Sequence, residues 1–457
     1  MNKKVLFGLV LAGLTAIVLN YTTDLQAEAV STAAITVLCA SWWVLEPIPI
    51  AATSLIPFAA FPLLGVTSHK VVAGSYGHSL ILLLMGGFIL SKAVETVGAH
   101  RRIAYGMVAM TGGGSRNLVL GFMLASALCS MWISNTATTL MLLPVAIAVM
   151  QHSDDDKLPI PLLLGIAYAA SIGGVGTPIG TPPNVYFMGF YSDRTGVEYG
   201  FLDWMKIGIP IVIIMLPLSW LYLTRHLRGG KSSDTTLVLP KLGPWTSAEV
   251  RVLTIFACTA MAWIFRTEPF GGWTGLVGIT TIGDSTIALT AVVALFLIPD
   301  KEHKPLMTWK DAESIPWGLL ILFGGGIAIA GAFQSSGLAE AVGDLLARVV
   351  DAPLFWVTAV ICVAVTFMTE VVSNTATTTL LMPLLYAAAI AVGLEPEKLL
   401  IPAALSASCA FMLPVATAPN AIVFGTGKIA PTTMIREGIV LNLIGIVVIT
   451  LGTWFLL

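Results

Sequence analysis

Long apolar stretches separated by short polar segments fill most of the chain. A helix needs about 20 residues to cross a hydrocarbon core about 30 Å thick, and about eleven stretches meet that requirement. The predicted crossings are residues 5–20, 29–46, 50–66, 79–97, 158–190, 205–224, 247–265, 284–299, 317–337, 398–424 and 437–456. The fifth and the tenth of them are broken by glycine or proline. The pattern predicts an all-α polytopic membrane protein.

Two further apolar stretches, residues 117–150 and 353–392, carry a polar interruption in the middle. Each is predicted to be a re-entrant hairpin, which enters and leaves the membrane on the same side and has the polar residues at its turn. Non-helical backbone is tolerated at membrane depth only inside protein or beside a watery cavity, so the turns indicate a buried polar site. Residues 98–116 and 338–350 are predicted to be amphipathic surface helices or solvated connectors.

The polar interruptions are copies of one another. The sequence Ser-Asn-Thr-Ala-Thr-Thr begins at Ser134 and again at Ser373, 239 positions later. A second break, Gly-Thr-Pro-Pro-Asn, ends at Asn184 and matches Ala-Thr-Ala-Pro-Asn, which ends at Asn420, 236 positions later. These offsets predict an N-terminal helix (1–28), a first repeat (29–224), a linker (225–246) and a second repeat (247–457).

The distribution of lysine and arginine predicts how the repeats are oriented. Cytoplasmic loops carry the excess of positive charge, and a cytoplasmic N-terminus places 16 of these side chains inside and six outside, with Lys92 left within a crossing. The C-terminus is then periplasmic or extracellular, the linker is cytoplasmic, and the two hairpins enter from opposite sides. Such inverted repeats are typical of secondary transporters. Residues 1–20 are predicted to be an uncleaved first helix and not a signal peptide.

Composition restricts the class of function. Of the 457 residues 56% are hydrophobic and 11% charged, against about 25% charged in soluble domains. The net charge of −2 gives no indication of a nucleic-acid partner. The membrane segments lack the acid–base or metal-binding groups of an enzyme, and Gly427-Lys428-Ile429 lacks the Ser or Thr of a phosphate-binding loop. Without an ATP site, transport by this chain is expected to be secondary.

The duplicated motifs supply neutral polar groups for a small anion and for sodium. Ser, Asn and Thr at a hairpin tip donate hydrogen bonds, and the helix N-terminus that follows adds backbone N–H groups and a partial positive charge. Unwound carbonyls and Asn or Ser oxygens suit sodium. One motif alone could equally reflect hydroxyls bonded within helices and simple kinks, but four motifs at constant offsets favour a site.

At these residues the chain resembles the divalent anion/sodium symporters, specifically the bacterial INDY-type dicarboxylate transporters. Residues 408–423 are similar to the family's signature around its second broken helix, and the Ser-Asn-Thr pair and residues 42–49 extend the resemblance. It implies a homodimer in a bacterial inner (cytoplasmic) membrane, with a fixed scaffold domain and a transport domain that moves in an elevator-type cycle. It also implies co-transported sodium ions and a dicarboxylate substrate.

The resemblance further implies which residues form the site. One sodium ion would bind at Ser130, Ser134, Asn135 and Gly180, and a second at Thr369, Asn374 and Ala416. The dicarboxylate would be held by Asn135, Thr136, Asn374 and Thr375, with Thr181 and Thr417 at the breaks. The repeat itself pairs Ser130 with Thr369, because they are 239 positions apart.

The repeats differ at positions that bear on coupling and specificity. Ala418 stands where the first repeat has Pro182, and Glu370 stands where it has Met131. An intramembrane carboxylate is a candidate for proton coupling, although the resemblance favours a role of Glu370 in shaping the hairpin. Lys92 is expected to snorkel or to form a structural ion pair, and we expect no lysine or arginine near either Ser-Asn-Thr motif.

Sodium-coupled symport of a C4-dicarboxylate (succinate, malate or fumarate) is the function that these features favour. A cation-independent dicarboxylate exchanger or a proton-coupled anion carrier could use the same scaffold. An ion channel or a membrane-embedded enzyme is the alternative from another class. The sequence leaves citrate and sulfate open as substrates.

Overall fold

The fold is that of a computed structural model, which describes residues 3–110, 114–151, 153, 155–227, 242–279, 281–347 and 353–457. Within these ranges the chain is helical or irregular, apart from an isolated β-bridge between Pro299 and Pro305. The all-α prediction is confirmed. Most of the predicted linker, residues 228–241, lies outside the described ranges.

The first half contains the first predicted hairpin and the first broken crossing. Its helices are α1 Lys3–Thr22, α2 Ala27–Leu45, α3 Ile50–Thr53, α4 Ile56–Leu63, α5 His69–Tyr76, α6 Ser79–Thr96, α7 Ala99–Met110, α8 Ser115–Ser130, α9 Asn135–Gln151, α10 Pro159–Gly174, α11 Pro182–Thr195 and α12 Phe201–Leu223. Helices α8 and α9 form the hairpin. A short 3-10 turn, Pro178–Gly180, lies in the break between α10 and α11.

The second half repeats this arrangement. Its helices are α13 Ser247–Ile264, α14 Gly272–Val277, α15 Asp284–Leu297, α16 Trp309–Ala312, α17 Trp317–Ser335, α18 Leu338–Ala347, α19 Leu354–Thr369, α20 Asn374–Ala391, α21 Glu397–Ala407, α22 Ala418–Phe424 and α23 Pro431–Leu456. Helices α19 and α20 form the second hairpin, and irregular residues 408–417 separate α21 from α22.

The predicted crossings differ in length from one another. By length and composition, seven stretches of the described chain could span a membrane: α1, α2, α5 with α6, α12, α13, α17 and α23. The other predicted crossings are shorter or broken helices. Residues 50–66, predicted as one crossing, form the separate helices α3 and α4, because Pro57 cannot donate a hydrogen bond to the carbonyl of Thr53. The short helices α5, α14 and α16 were not predicted.

The two predicted surface segments are helical where they are described. Helix α7 occupies part of residues 98–116 and packs against α8, and α18 occupies part of residues 338–350 and packs against α20. The remaining residues 111–113 and 348–350 lie outside the described ranges. Each of these helices therefore lies beside a hairpin arm.

Two short helices, α10 and α21, are the most deeply buried, and each ends at a break. All residues of α10 from Pro161 to Gly174 are buried, and α10 contacts α8, α9, α12 and α22. The approach to α8 requires glycine, since a Cβ on Gly173 would lie 2.2 Å from the backbone oxygen of Ala127. Helix α21 is buried from Leu399 to Ala407 and contacts α19, α20 and α23. Both breaks therefore lie inside the protein.

Candidate functional site

The Ser-Asn-Thr motifs form the tips of the two hairpins. Ser134 precedes α9, and its Oγ accepts a 3.2 Å hydrogen bond from the backbone N–H of Ala137. Ser373 accepts an equivalent 3.2 Å hydrogen bond from Ala376 at the start of α20. Serine suits this position because its oxygen satisfies a backbone N–H that the helix leaves unpaired. The Asn and Thr that follow each serine therefore lie in the first turn of a helix, where the dipole is positive.

Behind each tip, the asparagine side chain meets a hydroxyl group of the preceding helix. Ser130 Oγ lies 2.5 Å from Oδ1 of Asn135, and Thr369 Oγ1 lies 2.8 Å from Oδ1 of Asn374. Thr369 Oγ1 also lies 2.9 Å from the carbonyl oxygen of Ala407. The Thr369 hydroxyl has one proton, so it can donate to only one of these two oxygens at a time. Such an oxygen-rich group suits a hard cation.

The first tip contacts the first break at two glycines, Gly174 and Gly180. A Cβ on Gly174 would lie 2.9 Å from Oδ1 of Asn135 and 3.1 Å from the carbonyl oxygen of Gly180. A Cβ on Gly180 would lie 2.4 Å from the carbonyl oxygen of Gly174. Because neither residue has a side chain, an amide oxygen and two carbonyl groups come together here, next to the Ser130 hydroxyl.

Each break is held by the asparagine that ends its motif. Asn184 Nδ2 donates hydrogen bonds of 3.0 and 2.8 Å to the carbonyls of the residues ten and seven positions before it. Asn420 Nδ2 donates to the carbonyls at the same two spacings, at 3.1 Å each. Both side chains are fully buried. The repeat is therefore preserved in the hydrogen bonds that shape the two breaks.

A cavity of about 480 Å³ lies between the two tips and the two breaks. Its wall also includes one face of α6 and the residues that lead into α17. The lining residues are Gly87, Phe88, Ser91, Lys92, Glu95, Ser134, Asn135, Thr136, Ile179, Gly180, Thr181, Pro182, Ser314, Ile315, Pro316, Leu319, Asn374, Thr375, Ala416, Thr417, Ala418 and Pro419. One space is therefore shared by the duplicated motifs of both halves.

The structure brings the predicted site residues together. The six predicted to hold the substrate all line the cavity: Asn135, Thr136, Thr181, Asn374, Thr375 and Thr417. Three further predicted sodium ligands line it as well: Ser134, Gly180 and Ala416. Ser130 and Thr369 lie behind the wall, bonded to the tip asparagines. The assignment of each residue to substrate or sodium remains a prediction.

Glu370 anchors the second break. Its carboxylate is buried and accepts hydrogen bonds of 2.8 Å from the backbone N–H groups of Phe411 and Met412 and of 2.9 Å from that of Leu413. Asn442 Nδ2 donates a fourth, at 2.7 Å. All four groups are donors, so both oxygens of the Glu370 side chain are engaged in holding the break. This geometry favours a role in shaping the break over proton coupling.

Lys92 corrects one expectation. It lines the cavity that holds both motifs, and its Nζ lies 3.0 Å from Oε1 of Glu95. The predicted ion pair is confirmed, whereas the expectation of no lysine or arginine near the motifs is wrong. Helix α6 turns one face towards the first break, and Gly87, Ser91 and Glu95, four residues apart, lie on that face. The spacing of these residues could be predicted to place them on one face of a helix. The sequence did not indicate that this face would lie against the first break.

Other groups of the site were given no role from the sequence. Asn184 and Asn420 were part of the duplicated motif, so the repeat was a usable signal for a shared role. Gly174 and the carbonyl of Ala407 carry no sequence signal, because their place beside the tips depends on how α10 and α21 pack. The full set of groups can hold a small anion against neutral donors and helix N-termini, with oxygen-rich pockets for cations beside it.

Comparison with known sequences finds transporters. A family model described as citrate transporter (CitMHS) matches residues 40–397. A sodium-dependent dicarboxylate transporter, SdcS of Staphylococcus saprophyticus, is 39% identical over 480 aligned positions, covering 100% of this chain and 92% of the relative. A protein of the same name from Staphylococcus aureus strain USA300 is 38% identical, covering 99% and 91%.

Two solved structures share the fold. The YdaH transporter of Alcanivorax borkumensis matches with a TM-score of 0.60 and 14% identity, over 84% of this chain and 88% of that chain. MtrF of Neisseria gonorrhoeae, from a class of antimetabolite efflux pumps, matches with a TM-score of 0.62 and 12% identity, over 96% of each chain. At these identities the similarity concerns the fold alone.

Proposed function

The chain belongs to the citrate transporter (CitMHS) family, together with the sodium-dependent dicarboxylate transporters, and we propose that it carries C4-dicarboxylates across the membrane by symport with sodium ions. It is a multi-pass membrane transporter and not an enzyme. The observation that carries the proposal is the single cavity lined by both hairpin tips and both breaks. Succinate, malate and fumarate are the substrates we expect.

Sodium would bind behind each tip, where oxygens already converge. At the first tip the ligands are Ser130, Ser134, Asn135 and the carbonyl of Gly180, and at the second they are Thr369, Asn374 and the carbonyl of Ala416. The side chain of Ser134 already caps α9, so its backbone carbonyl is the oxygen that we assign to sodium. Support comes from the shared geometry, because Ser130 with Asn135 and Thr369 with Asn374 form the same contact in both halves.

The dicarboxylate would lie in the cavity between the tips. Asn135 and Thr136 would hold one carboxylate and Asn374 and Thr375 the other, with Thr181 and Thr417 closing the sides. Each carboxylate of a dianion costs on the order of tens of kcal/mol when it leaves water for an apolar medium without compensation. Positive helix ends and two sodium ions offset that cost, so anion and cations bind more tightly together than alone. This mutual stabilisation is the basis of coupling.

The direction in which the cavity opens follows from the ends of two helices. Glu95 near the end of α6 and Ser314 ahead of α17 line the cavity. In the predicted topology both lie on the cytoplasmic side, so we infer an inward-open state. Transport would then need α8–α12 and α19–α23 to move together against the other helices, which is an elevator-type movement. We also expect a homodimer, to be measured by light scattering of the purified protein in detergent.

At the opposite end, ion pairs join the two groups of helices. Arg266, after α13, lies 2.6 Å from Glu198, before α12. The Nζ of Lys206, in α12, lies 2.8 Å from Oε2 of Glu268. Glu268 lies in the same loop after α13 as Arg266. In the proposed topology these pairs close the outer side, and they must separate when the site opens outwards.

Uptake into proteoliposomes tests the proposal against its alternatives. We expect labelled succinate to accumulate when a sodium gradient is imposed and not when choline replaces sodium. Counterflow that needs no cation would indicate an exchanger, and uptake driven by a proton gradient alone would indicate a proton-coupled carrier.

A further inference from the structure

Lys92 and Glu95 form an ion pair on the wall of the substrate cavity. Their side chains are 27% and 36% exposed, so the pair lies in the open space and not within the packing of α6. Among the lining residues that the structure describes, these two are the ones that carry a formal charge. An anion that enters the cavity therefore meets one positive side chain, held by a neighbouring carboxylate.

Helix α6 runs along the wall of the cavity and brings Lys92 into the space that the two tips share. Gly87 lies against the first break, where a Cβ would lie 3.0 Å from Cγ2 of Ile179, the residue before Gly180. Lys92 follows Gly87 by five residues, which is about 7.5 Å along a helix axis. The ammonium group of Lys92 is held by Glu95, three residues further along α6, and both side chains line the same cavity as the hairpin tips.

We propose that Lys92 is a specificity-determining residue of the substrate site, where its ammonium group binds a carboxylate of the transported anion in place of Glu95. This inference rests on the proposed function. The Asn and Thr side chains at the tips are neutral and recognise shape more than charge. Lys92 therefore selects aliphatic anions with two or three carboxylates over a monocarboxylate of the same length, which has no second charge to offer it.

Glu95 balances Lys92 in the empty cavity. An unpaired ammonium group in the cavity would repel sodium. An incoming carboxylate takes the place of Glu95, and Glu95 recovers Lys92 as the anion leaves. Removal of the Glu95 charge leaves Lys92 free, so we expect tighter binding and slower release.

A purely structural role is the competing explanation, because charged pairs three residues apart commonly stabilise helices. A structural pair tolerates exchange of its partners. The double variant Lys92→Glu with Glu95→Lys keeps the pair but moves the ammonium group about one helical turn away from the tips. It therefore separates the two roles.

Ligand binding to the purified full chain tests the proposal, measured by thermal stabilisation with succinate, citrate or butyrate, with and without sodium. We expect Lys92→Met to raise the Kd of succinate about tenfold or more, and Lys92→Arg to stay within about threefold of the wild type. The exchanged pair should bind as weakly as Lys92→Met, and Glu95→Gln should bind more tightly. Lys428→Met, at an exposed lysine away from the cavity, is the matched control and should leave the Kd unchanged.

A succinate Kd within about twofold of the wild type in Lys92→Met, or full recovery in the exchanged pair, would overturn the proposal. The unfolding temperature without ligand reports whether each variant folds. If Lys92→Met does not fold, the succinate Kd of Lys92→Arg is compared with that of the exchanged pair, and we expect only the exchanged pair to bind more weakly than the wild type. If sodium does not change the succinate Kd of the wild type, the result counts against symport. The effect of the Lys92 variants on the succinate Kd can still be measured in that case.

Discussion

Asn442 donates a 2.7 Å hydrogen bond from Nδ2 to Oε1 of Glu370, and so links α23 to the first arm of the second hairpin. The same carboxylate accepts from three consecutive backbone N–H groups, residues 411–413. The first repeat has Met131 at this position. The second break is therefore held by a glutamate side chain, and the first repeat has a methionine at the equivalent position.

We expect Glu370→Gln to raise the sodium concentration for half-maximal uptake. A glutamine presents one oxygen, so at least one buried N–H loses its partner at a cost of about 1 to 3 kcal/mol. The loosened break displaces Ala416, a predicted sodium ligand. The measurement is uptake against sodium concentration at several pH values, with the exposed Glu302→Gln as control. If Glu370→Gln removed a pH dependence that the wild type has, Glu370 would be a proton-coupling residue instead.

Replacement of either tip asparagine should abolish sodium-dependent uptake. Asn135→Ala and Asn374→Ala each remove an oxygen assigned to a sodium ion and an amide group assigned to the substrate. Asn117→Ala, at an exposed position on α8, is the matched control and should behave as wild type. Uptake by folded protein in proteoliposomes is the measurement. Wild-type transport in both tip variants would refute the site assignment.

Gly174→Ala should weaken sodium binding at the first tip. The added methyl group would lie 2.9 Å from Oδ1 of Asn135, so the amide must move away from the proposed ligand set. Gly331→Ala is the control, because a Cβ there meets nothing within 4 Å. Sodium-dependent thermal stabilisation compares the two variants. An unchanged sodium response in Gly174→Ala would place the sodium ion elsewhere.

The asparagines of the breaks should matter for stability as much as for transport. Asn184→Ala and Asn420→Ala each leave one buried carbonyl, that of Gly174 or Ala410, without its side-chain donor, at a cost of about 1 to 3 kcal/mol. The other carbonyl of each pair loses one of two donors and keeps a backbone N–H. We expect a lower unfolding temperature for both variants in the absence of ligand, with a similar drop in each because their contacts are equivalent. A large drop in one variant only would show that the two breaks are not mechanically equivalent.

The positions of the tips and breaks could be predicted from the sequence because polar residues inside apolar stretches are conspicuous and here occur twice. Ser134 and Ser373 were placed at hairpin turns on that ground, and both precede the second arm of a hairpin. The offset of 239 also pairs Ser130 with Thr369 from the sequence alone. The duplication of the motif therefore indicated which residues have equivalent positions in the two halves, which a single motif cannot indicate.

The rest depends on packing that no local pattern encodes. Lys92 was expected to snorkel or to form a structural ion pair, and only the position of α6 beside the first break brings it into the cavity. The carbonyl of Ala407 meets Thr369 because α21 packs against α19. Residues 50–66 form two helices because Pro57 interrupts the helical hydrogen bonds. A hydropathy pattern does not register this effect, since proline does not make the stretch less apolar.

The most direct test of the shared site is the dependence of succinate uptake on sodium concentration, measured in proteoliposomes that contain the full chain. Two oxygen-rich tips at one cavity predict a cooperative, sigmoidal dependence. They also predict that Asn135→Ala and Asn374→Ala each abolish the uptake. Succinate uptake that is unchanged when choline replaces sodium would contradict the account.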